Sequence, residues 1–417
     1  MFFKLKTSEE IVEILKDFEP SEEETISIEH ALGRVLSRDI ISREDLPGFR
    51  RSTMDGYAVI AKDSFGATEA VPAFFEVAGE VMMGKNPTIS LLPGQAIKIS
   101  TGGMLPENSD SVVMLEYSRP LDEKTIEIYR AVSPLENVIL PEDDISRGEC
   151  VLKKRHRLRP QDLGVLTGLG FTEAAVFTRP KVAIISTGDE VVPIHSAPEP
   201  GQIRDINSYT LNALCLNAGA EPVMLGICND NFNELKAMVQ QGLSMADTVW
   251  ISGGSSVGTR DMTIKVFESF DNMEILAHGI SVSPGKPTII AKINSKAFFG
   301  LPGHVTSALV IAEIFLVPFL KRLSGEDQSF PFACQHLEAE LARNINSSNG
   351  RDDYIRVRLH LKDGRLVAEP VFGKSGLISS LIHAHGLLLI DRNTEGLYQG
   401  QKVKVRLFSS SAGRGIA

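Results

Sequence analysis

The stretch KVAIISTGDE, residues 181–190, sets the fold class of this chain. Its apolar run is typical of a strand buried on both faces of a sheet, and the run ends in a short acidic loop. A helical pattern at 207–218 follows and stops at Gly219. The order of strand, loop and helix then repeats through residue 252. This alternation predicts a parallel sheet with helices on both faces, and we assign the α/β domain to residues 179–326.

The region before this domain contains two different kinds of sequence. Thr7 and Glu10 have the spacing of a capping box, and apolar residues at 11–18 recur at helical spacing. A second helical pattern covers 28–35. Residues 47–145 instead carry short β-like runs separated by Gly, Pro and Asn, which predicts a small β-rich domain. The runs lie at 74–77, 95–99, 111–114 and 125–128.

A helical pattern at 159–169 indicates that the chain returns to the domain that it left. We therefore predict a discontinuous first domain of residues 1–46 and 146–178, with residues 47–145 inserted into it. Beyond the α/β domain, residues 327–417 alternate between apolar and polar side chains, most cleanly at 354–359 and 402–407. This pattern predicts a C-terminal β-barrel. The expected fold class is multidomain, α/β and β.

Composition excludes several classes of function. The net charge of -10 argues against a nucleic-acid partner, since phosphate binding needs concentrated Lys and Arg. The four cysteines form no C-x-x-C pair, which predicts reduced thiols. The N-terminus lacks the apolar core of a signal peptide, and the apolar run at 308–320 is interrupted by Glu313 and Pro318. We expect a cytoplasmic protein without a membrane span.

Three loops of the α/β domain have the composition of anion sites. Residues 253–261, GGSSVGTRD, lie between a strand and a helix and would present backbone N–H groups, although a structural turn is about as probable for this loop alone. Lys286 stands between two prolines in SPGKPT, where it would face either an oxyanion or water. Ser307 follows LPGHV at a helix start, where simple N-capping is the alternative.

Acidic residues on neighbouring loops would suit Mg²⁺ beside a phosphate. Each alone is as well explained by a cap, a turn or a solvated charge, and only their number on one predicted sheet edge favours a metal. These residues are Asp55, Asp189, Glu190, Asp205 and Asp261. His383 and His385 lack a third ligand nearby, so we interpret them as structural or surface residues.

The loops together, in this order, resemble the MoeA and gephyrin E-domain family of molybdopterin molybdenumtransferases. The matching motifs are PGFRRSTMDGYA at 47–58, STGGMLP at 100–106, STGDE at 186–190, residues 201–209, GGSSVG, PGKP, LPG and residues 375–380. The resemblance implies an inserted lever domain, a MogA/MoaB-like α/β domain and a C-terminal β-barrel. It also implies a homodimer that uses Mg²⁺, takes molybdopterin-AMP and molybdate, and releases AMP. A transient contact with the pterin-adenylylating protein would accompany this activity.

The same resemblance assigns roles to residues at matching positions. The catalytic set is Asp55, Thr101, Asp144, Glu190 and Lys286. Groups that bind the adenylylated pterin or the oxyanion are Asp189, Asp205, Gly253, Gly254, Ser256, Asp261, Ser307, Arg356 and Ser380. The expected metal ligands are Asp55, Glu190 and Asp205.

The chain departs from the family pattern at the predicted oxyanion pocket. Ser283 stands where many members carry Lys, and His304-Val305 stands in place of Asn-Pro. Residues 138–141 replace an Arg-rich lead to the acidic motif around Asp144, and Gly103 replaces an alanine. Two alternatives follow: a pterin-binding or scaffold protein with weak turnover, and an enzyme that inserts tungstate.

Overall fold

The computed structural model describes residues 5–253, 257–326 and 336–408, without the side chains of residues 257–261. Within it the chain forms two compact units. The first contains the residues up to Ser37, Arg155–Leu158 and the chain from Ala174 onward, and the second contains Arg38–Lys154 and Arg159–Glu173. The finer division into four domains stays a prediction.

The first unit begins with α1 (Ser8–Lys16) and β1 (Glu23–Ser27). The capping box is confirmed, because Glu10 N donates to Thr7 Oγ1 and Thr7 N donates to the Glu10 carboxylate. The helix predicted at 28–35 is wrong: only a 3₁₀ turn forms, at Ile28–His30. Gly33 adopts a left-handed conformation (φ 72°), which ends helical geometry before Val35.

The second unit is built on a six-stranded sheet with the order β7-β4-β6-β5-β9-β8. The four strands predicted for this region are confirmed, as is the helix at 159–169. The strands are β2 (Ile40–Ile41), β3 (Arg51–Ser52), β4 (Gly56–Val59), β5 (Ala73–Glu80), β6 (Gln95–Ile99), β7 (Ser111–Met114), β8 (Ser118–Pro120), β9 (Thr125–Ile128), β10 (Val138–Ile139) and β11 (Cys150–Leu152), followed by α2 (Pro160–Gly168).

The α/β part of the first unit alternates strands and helices, as expected. Its elements are β12 (Glu173–Phe177), β13 (Lys181–Thr187), β14 (Val191–Val192), β15 (Ile203–Arg204), α3 (Asn207–Ala218), β16 (Glu221–Cys228), α4 (Phe232–Met245), β17 (Thr248–Gly253), α5 (Val257–Glu268), β18 (Met273–His278), β19 (Val282–Ser283), β20 (Ile289–Ile293), β21 (Lys296–Leu301), α6 (Val305–Ile311), a π-helical turn (Ala312–Leu316) and α7 (Val317–Leu323).

The main sheet of this part has the order β16-β13-β17-β21-β20-β18. Its first four strands are parallel, as predicted, whereas β20 and β18 run antiparallel to their neighbours. Only two residues connect β20 to β21, and Asn294 among them has a positive φ, so a hairpin forms there and parallel pairing is impossible. Val249 and Trp250 contribute to cores on opposite faces, so helices cover both sides.

The C-terminal part of the first unit is a closed barrel of five strands, which confirms the expected β-barrel. Its circular order is β24-β25-β22-β28-β26, and β26 pairs back onto β24. The elements are β22 (His336–Leu341), β23 (Ile345–Asn346), β24 (Asp352–Lys362), β25 (Arg365–Pro370), α8 (Ser379–Ile382), β26 (Gly386–Ile390), β27 (Gly396–Leu397) and β28 (Lys402–Leu407). Nowhere in the described ranges is a helix both long enough and apolar enough to cross a membrane.

Candidate active site

The sheet of the α/β part has a switch point between β13 and β17. From β13 the chain passes through α3 to β16 on one side, and then through α4 to β17 on the other side of β13. Residues of α3 and α4 pack into cores on opposite faces of the sheet. The loops that leave the carboxyl ends of β13 and β17 therefore diverge, which creates the crevice where open α/β sheets bind ligands.

Gly253 lies at this crevice, at the end of β17. Its φ is 144°, and a Cβ atom there would lie 2.1 Å from Thr187 O, so only glycine fits. This contact fits a structural turn, the alternative given for this loop, and the approach of the backbone to an anion stays a prediction. Gly254 and Ser256 lie outside the described residues, and so does the side chain of Asp261, whose backbone belongs to α5.

Asp205 is buried beside the end of β13, with 7% of its surface exposed. Its Oδ1 accepts hydrogen bonds from Ser186 Oγ (2.9 Å) and Ser208 N (3.0 Å). The two serine hydroxyls are 2.7 Å apart. Asp205 thus fixes the start of α3 against β13, a structural role that one carboxylate oxygen fulfils.

Three carboxylates gather where β13 and β16 end. Asp189 accepts a hydrogen bond from Asp230 N (2.9 Å), and the Glu190 carboxylate folds back over Gly188. Burial raises the pKa of the Asp230 carboxyl, and the negative charges of Asp189 and Glu190 raise it further. Sequence reasoning missed Asp230, although it follows β16 just as Asp189 follows β13.

The loop that carries Lys286 is held against α6. A Cβ atom on Gly285 would lie 2.5 Å from the Ile311 side chain and 3.7 Å from Ser307 O. Ser307 is buried in the first turn of α6, whereas Lys286 is exposed. The structure therefore brings the lysine loop and Ser307 onto the same helix, although the sequence separates them by twenty residues.

Arg356, on barrel strand β24, holds a loop of residues 373–380. Its Nη1 donates to Ser380 Oγ (2.7 Å) and its Nη2 donates to Gly373 O (2.9 Å). Both acceptors are neutral, and Arg356 Nε is buried with no partner among the described residues. Burial lowers the pKa of the guanidinium, which is the expected effect for a cation without a counter-charge.

The 373–380 loop docks on the start of α6 as well. Thr306 N donates to Ser375 O (3.2 Å), and Thr306 Oγ1 donates to Leu377 O (3.4 Å). Ser375 Oγ and His304 Nδ1 are 3.0 Å apart. Lys286, Ser307, Arg356 and Ser380 thus all lie on segments that meet at this helix, and His304 and Ser375 join them.

In the second unit, Asp55 and Thr101 meet directly. The Asp55 carboxylate accepts from Thr101 N (2.7 Å) and from Thr101 Oγ1 (3.1 Å), and both residues are exposed. Asp144 is exposed, and its backbone N donates to Leu46 O. Over the ranges that can be described, no group of three His, Cys, Asp or Glu residues is arranged to hold a metal ion. His385 has a structural role, because its Nδ1 accepts from Leu359 N (2.9 Å).

Three family models together match most of the chain. They are the MoeA N-terminal region, domains I and II, at residues 5–170; a probable molybdopterin binding domain at residues 183–322; and the MoeA C-terminal region, domain IV, at residues 338–408.

Relatives match along nearly the whole length. A putative molybdopterin biosynthesis protein of Methanocaldococcus jannaschii is 35% identical, with 97% of each chain covered. A molybdopterin molybdenumtransferase of Staphylococcus epidermidis is 31% identical over 98% of this chain and 96% of its own. The crystal structure of a molybdopterin biosynthesis MoeA protein from Pyrococcus horikosii superimposes with a TM-score of 0.83 at 37% identity, covering 97% of this chain and 99% of that one. The chain therefore belongs to the MoeA and gephyrin E-domain family, the molybdopterin molybdenumtransferases.

Proposed function

We propose that this enzyme acts in molybdenum cofactor biosynthesis by inserting molybdate into adenylylated molybdopterin and releasing AMP. The observation that carries the proposal is that two segments with cationic residues pack on α6. The 373–380 loop, which Arg356 holds, docks at the start of this helix, and the Lys286 loop packs against Ile311 at its end. A tetrahedral dianion is stabilised by fixed cations, and Ser380, which accepts from Arg356 and donates to Leu377 O (2.7 Å), positions the guanidinium.

The chemistry rests on positioning and charge. The oxyanion is held where the two dithiolene thiols can bond to molybdenum, and their two protons leave with one oxygen ligand of molybdate as water. Hydrolysis of the phosphoanhydride releases AMP. The crevice at the ends of β13 and β17 would hold the nucleotide-linked phosphates, because open α/β sheets bind ligands at such a switch point. Ser256 and Asp261 remain expected contacts of the adenylylated pterin.

We also propose that the reaction requires Mg²⁺. The carboxylates at the ends of β13 and β16 would suit such an ion, because burial raises the pKa of Asp230 and the neighbouring charges of Asp189 and Glu190 raise it further. Mg²⁺ is commonly held by one or two carboxylates together with substrate phosphates, so a complete protein cage is not required. Glu190 and Asp189 would contribute oxygen atoms, and Asp55 and Asp205 stay predicted ligands. When bound, the ion would offset the charge of the phosphates.

A homodimer in the cytoplasm and a transient contact with the protein that adenylylates the pterin belong to the same proposal. Light scattering coupled to size exclusion tests the dimer directly. A mass equal to one chain of 45.5 kDa would contradict it.

Molybdate-dependent release of AMP tests the function. Purified protein is incubated with adenylylated molybdopterin and Mg²⁺, with and without molybdate, and AMP is quantified by chromatography. We expect release that depends on both ions. Retention of the pterin without release would instead identify a binding or scaffold protein. Tungstate is run in parallel, because its charge equals and its size nearly equals that of molybdate.

A further inference from the structure

His304 occupies the N-cap position of α6, where the 373–380 loop that Arg356 holds docks on the helix. Its side chain makes no capping hydrogen bond to the helix. Instead its Nδ1 lies 3.0 Å from Ser375 Oγ, and its ring is exposed. The imidazole is therefore directed by the 373–380 loop and not by the helix that carries it.

The contact with Ser375 determines which ring atom is available. When the Ser375 hydroxyl donates to Nδ1, the neutral ring carries its proton on Nε2. Within the described part of the chain, Ser375 is the hydrogen-bonding partner of this ring, and in the tautomer in which Ser375 donates, Nε2–H is left as a donor. Gly376 lies beside the Cδ2 edge of the ring, where a Cβ atom on this residue would lie 3.8 Å from Cδ2.

Docking of the 373–380 loop does not depend on the histidine. Thr306 already anchors this loop through its backbone N–H to Ser375 O and through its hydroxyl to Leu377 O. The loop is held from the other side by Arg356, which bonds to Ser380 and Gly373. A purely structural role for His304 would therefore duplicate contacts that exist without it.

The surroundings of the ring favour an anion. The guanidinium of Arg356 has only neutral acceptors among its hydrogen-bonding partners, and Lys286 is exposed on a loop held by the same helix. A tetrahedral dianion has four oxygen atoms, and each is stabilised by a separate donor. An imidazole N–H at the helix start would add a donor to the cations of Lys286 and Arg356, since the Ser380 hydroxyl already donates to Leu377 O.

We infer that His304 binds the oxyanion substrate through Nε2–H and that Ser375 positions its ring. This inference rests on the proposed molybdate-dependent reaction and adds a residue to its oxyanion pocket. It concerns the affinity for molybdate, and it leaves the binding of the adenylylated pterin to the crevice at β13 and β17.

Two amide substitutions separate oxyanion binding from loop anchoring. The side-chain nitrogen of Gln can reach the position of Nε2, whereas that of Asn can reach only the position of Nδ1. The half-saturating molybdate concentration for AMP release is measured for wild type, His304→Ala, His304→Gln and His304→Asn. We expect the half-saturating concentration to rise by about tenfold for Ala and Asn, because one charge-assisted hydrogen bond to the oxyanion is lost. For Gln we expect a rise of less than about threefold, because this hydrogen bond is kept. The rate at saturating molybdate should stay within about threefold of wild type, because the donor serves binding.

Ser375→Ala should raise the half-saturating concentration by about threefold, because the donor remains but its ring is no longer fixed. His336→Ala, on an exposed barrel position, is the matched control and should behave as wild type. Thermal melting of each full-length variant confirms that the fold is kept.

The opposite order, with Asn restoring affinity and Gln failing, would show that the ring only anchors Ser375 and would overturn the inference. Equal values for all variants would overturn it too. Calorimetric titration of the full chain with molybdate keeps this result separate from the proposed reaction. Binding without AMP release would contradict the proposed reaction. A weaker affinity of His304→Ala for molybdate in the titration would still support the inference that His304 binds the oxyanion.

Discussion

Two regions of the first unit carry charges of opposite sign. At the ends of β13 and β16, burial raises the pKa of Asp230, and the nearby carboxylates of Asp189 and Glu190 raise it further. On segments that pack against α6, Arg356 and Lys286 are cations, and in the described part of the chain the hydrogen bonds of Arg356 go to neutral oxygens. Other charges are paired, as where Arg392 pairs with buried Asp352. Charges left without a counter-charge inside the protein mark where a ligand supplies one.

The contrast assigns a cation to the acidic region and an anion to the basic region. Mg²⁺ bound together with a nucleotide-linked phosphate would supply the cation for the acidic region. An oxyanion substrate would supply the anion for the basic region. Substitutions that remove charge from one region should therefore change the requirement for one ion and leave the other unchanged.

Lys286→Ala should have the largest effect. It removes the exposed ammonium whose loop is held by α6, and we expect molybdate-dependent AMP release to fall by at least about 100-fold, as for loss of one preorganised charge donor. AMP release at saturating molybdate and Mg²⁺ is the measurement. Lys362→Ala, at the exposed end of β24, removes the same charge far along the strand from Arg356 and should retain activity. Unchanged release by the Lys286 variant would remove this residue from the pocket.

Arg356→Lys comes next. The lysine keeps the charge but cannot donate to Ser380 Oγ and Gly373 O together, so the 373–380 loop loses its anchor. We expect the half-saturating molybdate concentration to rise by about 30-fold, which corresponds to about 2 kcal/mol. The Mg²⁺ requirement should not change. An equal shift in both requirements would mean that the two regions are not independent.

The sequence was sufficient for those parts of the fold that periodicity and glycine determine. The strand at 181–187, the helix ending at Gly219 and the barrel strands all form where predicted. The antiparallel strands β20 and β18 were missed, because short apolar runs carry no sign of strand direction. The helix expected at 28–35 failed because Gly33 takes a left-handed conformation that periodicity does not reveal.

The candidate site was predictable only as a set of loops. Motif resemblance identified Lys286, Ser307, Arg356 and Ser380, but their meeting at α6 depends on packing of the barrel against the α/β part, which no local pattern encodes. Asp230 and the contact between His304 and Ser375 were missed for the same reason. Asp205 was expected as a ligand, and the structure adds that one of its oxygens is engaged by Ser186 and Ser208.

Asp205→Asn separates the structural function of this residue from metal binding. Asparagine keeps an oxygen that can accept from Ser186 Oγ and Ser208 N, but it removes the negative charge. We expect AMP release at low Mg²⁺ to fall by about tenfold and to recover partly at high Mg²⁺, with little change in melting temperature. Asp205→Ala also breaks both hydrogen bonds and should destabilise the fold by about 1–3 kcal/mol. Full activity of the Asn variant at low Mg²⁺ would leave Asp205 with a structural role alone.

Asp230→Asn should have the smallest effect and the most informative sign. Folding raises the pKa of Asp230, so this carboxyl binds its proton more tightly in the folded state than in the unfolded state. Above that pKa the charged carboxylate therefore lowers the free energy of unfolding, whereas at low pH, where both states are protonated, it has no such effect. The variant should therefore melt higher than wild type near pH 7.5 without Mg²⁺, by on the order of 1 °C, and the difference should vanish as the pH falls below about 4. Addition of Mg²⁺ should stabilise wild type more than the variant, because the ion offsets the repulsion that the substitution removes. Asp271→Asn, at an exposed position, is the control for loss of one negative charge. A lower melting temperature for Asp230→Asn at pH 7.5 would mean that the charged carboxylate stabilises the fold in spite of Asp189 and Glu190, and the acidic region would then need no cation.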